Sequence, residues 1–498
     1  MPFMFLTACS DESEVEKGGG GKEITVFSWE DYIDEGYEEA DLKELDQAVL
    51  DRFDSEQLTT SILDVFYEKT GIKVNYYTFA NNEEMYNELI KDPDACDLIC
   101  PSEYMILKMR NEGLIKPFTM PKSYQDYGSE YIKYMFDTLD LNDKTDPNKT
   151  YAIGYMWGTM GLIYNADKYT EEDFKLWSYL LSNQDFSDRL TIKDSLRDSY
   201  IMALAIVYEE ELLSLKKDYE DGKISSTEYQ STIAEIFNRT DEQTIQKAQD
   251  VLTELKTNQL YGFEVDAGKN DLLSGRIDVN FAWSGDAVFS MKEGEYAGRN
   301  FGYAVPETGS NVWFDGWVMT KSANEEYASQ FLDFICQPEN VVRNMAYIGY
   351  TSCVGGDYVF DYINDVYAEE NGNESVSLKY FFDWYNANSN DYIIKVNKDS
   401  NKSKQLFAQY ANRQTIERCA VMDNFDDASL QSLNLMWSKV KLITLKPYAI
   451  GIIIAVIVLM IGGVVVIKYK SKIFKRNISA EQTKPRKKGY KVISIREK

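Results

Sequence analysis

Apolar and polar residues along the first part of the chain fall into short strand-like runs separated by amphipathic helical runs. These segments occur in the order 24–29 (strand), 61–69 (helix), 72–79 (strand), 82–91 (helix) and 97–100 (strand). Gly71 directly follows the first helical run, as a helix stop does. Strands that alternate with helices indicate βαβ units and a parallel sheet, in which ligands bind beside the carboxyl ends of the strands. The segments 29–32 and 101–104 fall at such ends.

A second α/β pattern follows between residues 151 and 348. It consists of strand-like runs at 151–165, 190–192, 277–283 and 311–320, a helix from about residue 200, a charged helical pattern over 216–256 and a helix pair over 323–348 broken at Pro338. A chain of 498 residues is too long for one ordinary core. The pattern therefore predicts an α/β protein with two lobes.

The longest uncharged apolar run lies near the C-terminus. Residues 449–467 form 19 consecutive positions without a charge, and at about 1.5 Å rise per residue such a helix spans a bilayer. From residue 468 onward there are twelve Lys/Arg and two Asp/Glu, so the positive-inside rule makes this tail cytoplasmic. We predict one transmembrane helix at 449–467, a basic cytoplasmic tail at 468–498 and an extracytoplasmic domain before them.

The first residues contain a candidate lipidation signal. The run Leu6-Thr7-Ala8-Cys9 resembles the lipobox of bacterial lipoproteins, in which the cysteine becomes the lipidated N-terminus. No Lys or Arg precedes Cys9, so either residues upstream of Met1 are missing or the match is fortuitous. Residues 10–23 are acidic and contain four consecutive glycines, which is typical of a flexible tether. We interpret 1–23 as a signal remnant and tether, with Cys9 as the lipidation site.

Charge and composition narrow the possible functions. The chain has 53 Lys+Arg, 81 Asp+Glu and no His, a formal net charge of −28. Before residue 468 there remain 41 basic and 79 acidic residues, a charge of −38, so the acidity belongs to the exterior domain. Strong acidity argues against nucleic-acid binding, and the lack of His excludes Ser-His-Asp and HExxH chemistry. Cys96 and Cys100 are interpreted as small buried thiols rather than a metal or redox pair, and we expect neither a metal nor a cofactor.

Aromatic residues and acids recur together at the predicted strand ends. Aromatic faces cover methylene groups and attract ammonium groups by about 0.5–2 kcal/mol each, while carboxylates form charge-assisted hydrogen bonds with amines. This combination suits an organic cation with a hydrocarbon body. Because the chain has 81 acids, 24 Phe, 8 Trp and 36 Tyr, such neighbours also arise by chance, and core packing explains any single one equally well.

An ordered series of motifs resembles the spermidine/putrescine-binding proteins of bacterial ABC importers. The matching stretches are FSWEDY (27–32), YEKTGIK (67–73), DLICPSEY (97–104), KM (108–109), EG (112–113), YMWG (155–158), DSLRD (194–198), FAW (281–283), WFD (313–315) and IGY (348–350). They occur in family order over roughly residues 24–440. The resemblance implies a two-lobed, type II periplasmic-binding-protein-like α/β fold with a hinge, and a non-enzymatic receptor that delivers a polyamine to ABC permease subunits.

The same resemblance implies domain boundaries. Lobe 1 would comprise 24–153 with a return segment at about 318–350, lobe 2 would comprise 154–317, and 351–440 would form a C-terminal helical part. The segments 34–58 and 210–240 look like insertions relative to the family.

Ten ligand-binding residues are also carried over from the family motifs. They are Trp29, Asp31, Tyr32, Ser102, Tyr104, Asp198, Trp283, Trp313, Asp315 and Tyr350. The resemblance implies that the aromatic residues stack on the polyamine chain and that Asp315 grips the innermost amine. Glu30 and Ser195 depart from the family pattern, and these departures bear on which polyamine is preferred.

Three alternatives stay open at this point. A receptor of the same fold could instead bind a sugar, an amino acid or iron. A sugar site would favour Asn, Gln and Arg beside the aromatic residues and an anion site would need an Arg clamp, whereas the predicted segments are rich in acids. A carboxylate-pair glycosidase would need two acids in a defined context, and no such motif occurs. A sensor would signal through the tail, which is too short for a catalytic domain but could contact a permease or anionic lipid.

Overall fold

The computed structural model describes residues 21–383 and 391–442, together with residues 455, 458–463, 466 and 468. The chain divides after Val440 into two units. All strands of the described residues belong to the first unit. In chain order they are β1 (Glu23–Trp29), β2 (Lys73–Phe79), β3 (Leu98–Ile99), β4 (Ile115–Lys116), β5 (Phe118–Thr119), β6 (Lys149–Thr150), β7 (Ile153–Asn165), β8 (Leu190–Lys193), β9 (Leu260–Glu264), β10 (Val279–Trp283), β11 (Phe301–Ala304), β12 (Val312–Thr320), β13 (Thr351–Ser352), β14 (Glu374–Ser377) and β15 (Ile393–Val396).

The α-helices lie mostly between these strands, as expected for βαβ units. They are α1 (Gln47–Leu50), α2 (Ser55–Thr59), α3 (Ile62–Thr70), α4 (Asn82–Lys91), α5 (Glu103–Asn111), α6 (Lys122–Tyr127), α7 (Glu130–Thr138), α8 (Tyr179–Ser182), α9 (Leu196–Val207), α10 (Glu209–Glu220), α11 (Ser226–Phe237), α12 (Glu242–Asn258), α13 (Ala267–Ser274), α14 (Ser284–Tyr296), α15 (Glu325–Ile335), α16 (Pro338–Ile348), α17 (Asp357–Tyr367), α18 (Lys379–Phe382), α19 (Asn401–Gln409), α20 (Arg413–Glu417) and α21 (Asp427–Lys441).

One large sheet runs through both halves of the molecule. Its strand order is β2-β1-β3-β12-β7-β10-β8-β9, with β4 added beside β12 and β11 and β13 beside β7. The strands β1, β2 and β3 are mutually parallel, and so are β8, β9 and β10. We call the half built on β1–β3 lobe 1 and the half built on β8–β10 lobe 2. Two parallel sheets therefore meet through a central antiparallel pair.

The central pair, β7 and β12, connects the lobes. Residues 153–159 of β7 pair with β12, and residues 160–164 of the same strand pair with β10 of lobe 2. The other end of β12 pairs with β3 of lobe 1. A register shift between Asp315 and Gly316 interrupts the ladder of the pair, and such bulges bend a strand. The position of the two strands between the lobes and the register shift in β12 are typical of a hinge.

Two hydrophobic cores stabilise the fold, and the larger one extends across both lobes. One contains Phe66, Leu98 and Trp317, and the other contains Trp177 and Phe237. All of these side chains are buried. Burial of apolar surface at about 25 cal/mol per Å² supplies the main stabilisation of both cores. The first core also includes Ala282 of β10, Met291 of α14 and Phe301 of β11, so it continues beyond lobe 1.

The start of α9 lies earlier than the sequence pattern predicted. The helix begins at Leu196 rather than near Tyr200, because the Ser195 side chain accepts a hydrogen bond from the backbone N–H of Asp198 and caps it. The serine therefore ends the strand-to-helix turn. This difference places both Arg197 and Asp198 in the first helical turn.

The two stretches identified as insertions form ordered structure in this chain. Residues 34–58 contain α1 and most of α2, and Arg52 pairs with Asp365 of α17 at 2.7 Å. Residues 210–240 contain most of α10 and all of α11, which are joined by stacked rings of Tyr219 and Tyr229 with centroids 4.6 Å apart. Both segments also contribute side chains to the hydrophobic cores, among them Val49 and Phe53 from the first and Ile233 and Phe237 from the second.

Several predictions concern residues at the ends of the chain. Cys9, most of 449–467 and the tail beyond Lys468 lie outside the described residues. Within the part that the structure describes, no helix is long and apolar enough to cross a membrane. The five described cysteines are buried, and Cys96 and Cys100 flank β3. No cluster of three or more Cys, Asp or Glu among the described residues could hold a metal ion.

Candidate functional site

A buried carboxylate on the hinge strand β12 lies at the centre of the candidate site. The hydroxyl of Tyr32 donates to Oδ2 of Asp315 and the hydroxyl of Ser102 donates to Oδ1, each at 2.7 Å. Burial raises the pKa of Asp315 to about 6, although both hydroxyls oppose that shift. Among the described residues no lysine or arginine forms an ion pair with this carboxylate. Asp315 is therefore a buried anion that has neutral partners only.

The parallel strands of lobe 1 bring both hydroxyl groups to Asp315. Tyr32 follows the end of β1 across a turn in which Asp31 has a positive φ of 51°. Ser102 follows β3 and occupies the N-cap position of α5. Because β1 and β3 are parallel neighbours, their carboxyl ends meet at one edge of the sheet. Ser102 also forms an isolated antiparallel bridge with Asp315, which fixes the distance between the two elements.

A second acid, Glu103, lies next to this centre and was missed from the sequence. Its side chain is buried and accepts a long hydrogen bond from the backbone N–H of Phe314 at 3.4 Å. Burial, and then the negative charge of Asp315, raise the pKa of Glu103 to about 8. Most of this carboxyl group is consequently protonated at pH 7. The signal in the sequence is an acid directly after the serine at the N-cap position, followed by the apolar residues 105–107.

Aromatic rings extend the site from Asp315 toward lobe 2. The ring of Tyr350 lies 6.0 Å from that of Tyr32 and 5.7 Å from that of Trp313, both in edge-to-face geometry. A Cβ on Gly285 would come within 2.2 Å of the Tyr350 ring, so this position requires glycine. Burial, and then the carboxylate of Asp286, raise the pKa of Tyr350 well above its usual value. Tyr350 thus links the surroundings of Asp315 on β12 to the start of α14 in lobe 2.

The lobe 2 end of the site contains a buried lysine. The ammonium of Lys193 lies 4.1 Å from the centre of the Trp283 ring. It forms ion pairs with Asp286 at 3.1 Å and with Glu264 at 3.5 Å, and it donates to the carbonyl oxygen of Val265. Lys193 ends β8, Trp283 ends β10 and Glu264 ends β9, so three parallel strands converge here. No local pattern in the sequence indicates this lysine, because its partners are 71 to 93 positions away.

A cation of lobe 2 contacts an aromatic ring of lobe 1. The guanidinium carbon of Arg197 lies 3.7 Å from the centre of the Tyr104 ring and 4.7 Å from that of Phe425. Its Nη1 donates to the carbonyl oxygen of Asp423 at 2.9 Å. The hydroxyl of Tyr104 interacts with Asn82 at 3.0 Å. The two lobes therefore touch directly at the mouth of the site.

The ten sequence-predicted residues divide into three groups in the structure. The residues gathered around Asp315 are Tyr32, Ser102, Trp313 and Tyr350. The residues that face cations of the protein itself are Trp283, Tyr104 and Asp198. Of the other two, Trp29 packs edge-on against Phe79 with centroids 4.7 Å apart, and Asp31 is exposed in its turn.

Asp198 is the second carboxylate that the family pattern places in the cleft. It lies in the first turn of α9 and is partly exposed. Burial raises its pKa, and Ser195, Lys193 and Arg197 each oppose that shift. Asp198 is thus surrounded by cations of lobe 2, in contrast to Asp315.

Comparison with known families identifies one match that covers most of the described fold. A family model for the bacterial extracellular solute-binding protein matches residues 61–355. The chain is 28% identical over 301 residues to the spermidine/putrescine-binding periplasmic protein of Salmonella typhimurium, covering 59% of this chain and 74% of the relative. It is 26% identical over 293 residues to the putrescine/agmatine-binding protein of Pseudomonas aeruginosa, covering 57% of this chain and 72% of the relative.

Solved structures show the same fold. A crystal structure of the spermidine/putrescine ABC transporter substrate-binding protein of Streptococcus pneumoniae has a TM-score of 0.54 at 22% identity, covering 84% of this chain and 98% of that chain. A lipoprotein of Treponema pallidum has a TM-score of 0.55 at 16% identity, covering 84% and 99%. The predicted two-lobed periplasmic-binding-protein-like α/β fold is confirmed by these neighbours.

Proposed function

Because the chain belongs to the bacterial extracellular solute-binding proteins, we propose that it is an extracytoplasmic polyamine receptor of an ABC importer. It binds an amine of the putrescine and spermidine class between its two lobes and delivers it to the permease. The motif resemblance and the names of the relatives agree on the ligand class. The receptor forms no covalent bond with its ligand.

The observation that carries this proposal is the buried Asp315 carboxylate, which lacks a cationic partner among the described residues. An unpaired anion in a protein interior is costly, and the cost is relieved by a cation that enters the same space. The edges and faces of Tyr32, Trp313 and Tyr350 surround it, and such rings attract ammonium groups and cover methylene groups. An anion would be repelled by this carboxylate, and a neutral sugar could donate hydrogen bonds to it but would not neutralise its charge.

We assign the predicted residues to two roles. Asp315, with its hydroxyl partners Tyr32 and Ser102, holds the innermost ammonium, and Trp313 and Tyr350 line the hydrocarbon chain. The family motifs imply ligand contacts for Trp29, Asp31, Tyr104, Asp198 and Trp283 as well, although the face of Trp283 is covered by the ammonium of Lys193. The lobes close on the ligand by bending β7 and β12, the two strands shared by both sheets.

We also propose that the receptor is held at the membrane. The uncharged segment 449–467 serves as a transmembrane helix, with the basic tail 468–498 in the cytoplasm and the acidic domain outside. In support, the apolar side chains of 458–461 are each more than half exposed, and exposed apolar runs of this kind are stable only in lipid or against a partner. Cys9 provides a second, lipid anchor.

The direct test is isothermal titration of the full-length chain in detergent with putrescine, spermidine and spermine. We expect heat release and saturable binding with at least one of them. The Asp315→Asn variant should lose the binding, whereas Asp97→Asn should retain it. Asp97 is a matched control because it is equally buried in lobe 1 but accepts backbone N–H groups of Thr25 and Asn324. Absence of binding to all three amines contradicts the proposal.

A further inference from the structure

The lobe 2 end of the cleft already contains a cation supplied by the protein. The side chain of Lys193 is 1% exposed, and its ammonium lies over the face of Trp283 between the carboxylates of Asp286 and Glu264. An aromatic face with two carboxylates is the environment in which a ligand ammonium would be expected to bind. In this protein the ammonium of Lys193 occupies that environment.

The two ends of the site share a single aromatic side chain. Tyr350 contacts Tyr32 and Trp313 on the Asp315 side, and its hydroxyl is next to Asp286 on the Lys193 side. A linear polyamine that starts at Asp315 and passes Tyr350 therefore approaches Asp286. At that point it meets the ammonium of Lys193 rather than a free carboxylate.

On the basis of the proposed function, we infer that Lys193 is a built-in ammonium that fills one amine subsite and restricts the receptor to short diamines. Putrescine places one ammonium on Asp315 and ends before the lysine. Spermidine carries a third cation, which would have to displace the Lys193 ammonium from Trp283 or lie beside it. Lys193 is thus a specificity-determining residue of this chain.

The charges around the cleft support the same conclusion. Lys193 and Lys269 both contact the carboxylate of Asp286, Lys193 also pairs with Glu264, and Lys269 also pairs with Asp266. These carboxylates are therefore already paired with cations of the protein. A third ligand ammonium that reached Asp286 would lie beside two lysine ammonium groups. Like charges that are close in a poorly solvated site repel each other strongly.

The experiment compares putrescine and spermidine by isothermal titration of the full-length chain in detergent. For the unmodified receptor we expect putrescine to bind at least tenfold more tightly than spermidine. The Lys193→Met variant keeps the length of the side chain and removes its charge. The affinity for spermidine should therefore rise at least tenfold relative to the affinity for putrescine. Lys216→Met is the matched control, because it removes a lysine of the same lobe that pairs with Glu307 on the outer surface, and it should leave the ratio unchanged.

The outcomes separate this inference from the proposed function. If the unmodified receptor binds spermidine as tightly as putrescine or more tightly, the inference is overturned while the polyamine receptor stands. A folded Lys193→Met variant with an unchanged ratio overturns the role of the lysine. If Lys193→Met does not fold, the ratio of the putrescine and spermidine affinities of the unmodified receptor decides whether the inference stands. If neither amine binds, the proposed function itself is wrong.

Discussion

The guanidinium of Arg197 in lobe 2 stacks on the ring of Tyr104 in lobe 1, with 3.7 Å between the guanidinium carbon and the ring centre. This contact joins the first turn of α9 to the first turn of α5 across the mouth of the cleft. A cation over an aromatic face contributes about 0.5–2 kcal/mol. The contact therefore favours the arrangement of the lobes seen in this structure.

Replacing Arg197 by alanine should open the ligand-free receptor. We expect a larger radius of gyration by small-angle X-ray scattering and an affinity for putrescine that is about two- to tenfold lower, because less of the protein is closed beforehand. Arg239→Ala is the control, since Arg239 lies 4.6 Å from the Tyr208 ring within lobe 2. Equal radii for the two variants and the unmodified receptor would show that the Arg197 contact does not hold the lobes.

Ligand affinity should depend on pH through Asp315. An ammonium binds the ionised carboxylate, and the pKa of this group is about 6 because of burial. Between pH 7.5 and pH 5 the ionised fraction falls about tenfold, so the affinity for putrescine should fall by a similar factor. Titration calorimetry at three pH values measures this dependence. A flat profile over that range would mean that Asp315 does not bind the amine.

The ligand-free receptor should become more stable when Asp315 is replaced by asparagine. The folded-state pKa of about 6 lies above the ordinary value of 3.8, so the folded state binds more protons than the unfolded state between these values. Protonation of Asp315 therefore stabilises the folded state fully below pH 4, and this stabilisation is lost as the pH rises through 6. At pH 7.5 the ionised carboxylate therefore costs on the order of 2–3 kcal/mol, which the asparagine variant recovers.

Thermal denaturation of ligand-free Asp315→Asn and of the unmodified receptor measures this effect. We expect a higher melting temperature for the variant at pH 7.5 and a difference near zero at pH 4. The same variant binds putrescine at least tenfold more weakly, so stability and binding change in opposite directions. Asp97→Asn, whose carboxylate accepts backbone N–H groups, should instead lower the melting temperature. A destabilised Asp315→Asn variant at pH 7.5 would refute the assignment.

The apolar C-terminal segment should decide whether the protein sediments with membranes. In a Cys9→Ser background, which removes the lipid anchor, we expect the full-length chain in the membrane pellet. Deletion of 443–498 should move the protein to the supernatant after ultracentrifugation. Deletion of the basic tail alone, 469–498, serves as the control and should leave the protein in the pellet. Recovery of the full-length Cys9→Ser variant in the supernatant contradicts a transmembrane segment.

Local signals in the sequence were sufficient for the elements that carry the site. The strand predicted at 24–29 corresponds to β1 at Glu23–Trp29, and the helix pair broken at Pro338 corresponds to α15 and α16. Strand periodicity and helix breakers depend on neighbouring residues, so they can be read directly. The motif series gave the family for the same reason, because each motif is a short contiguous stretch.

Contacts between distant segments could not be read in this way. The ion pair of Lys193 with Asp286 joins residues 93 positions apart, and Lys193 has no distinguishing local pattern in the strand LTIK. The protonation of Glu103 likewise depends on its burial beside Asp315, which the chain brings together from 212 positions away. Aromatic and acidic residue types suggested a cation site, but only the fold shows that the protein itself supplies cations at one end of it.

The bulge at Asp315 and Gly316 puts the principal carboxylate on the strand that bends when the lobes move. In a receptor built this way, the ligand binds to the strand that connects the two lobes and not to one lobe alone. Ligand binding and the angle between the lobes then change together. A permease that contacts only the outer faces of the lobes would then distinguish the ligand-bound receptor from the empty one, because the angle between the lobes differs.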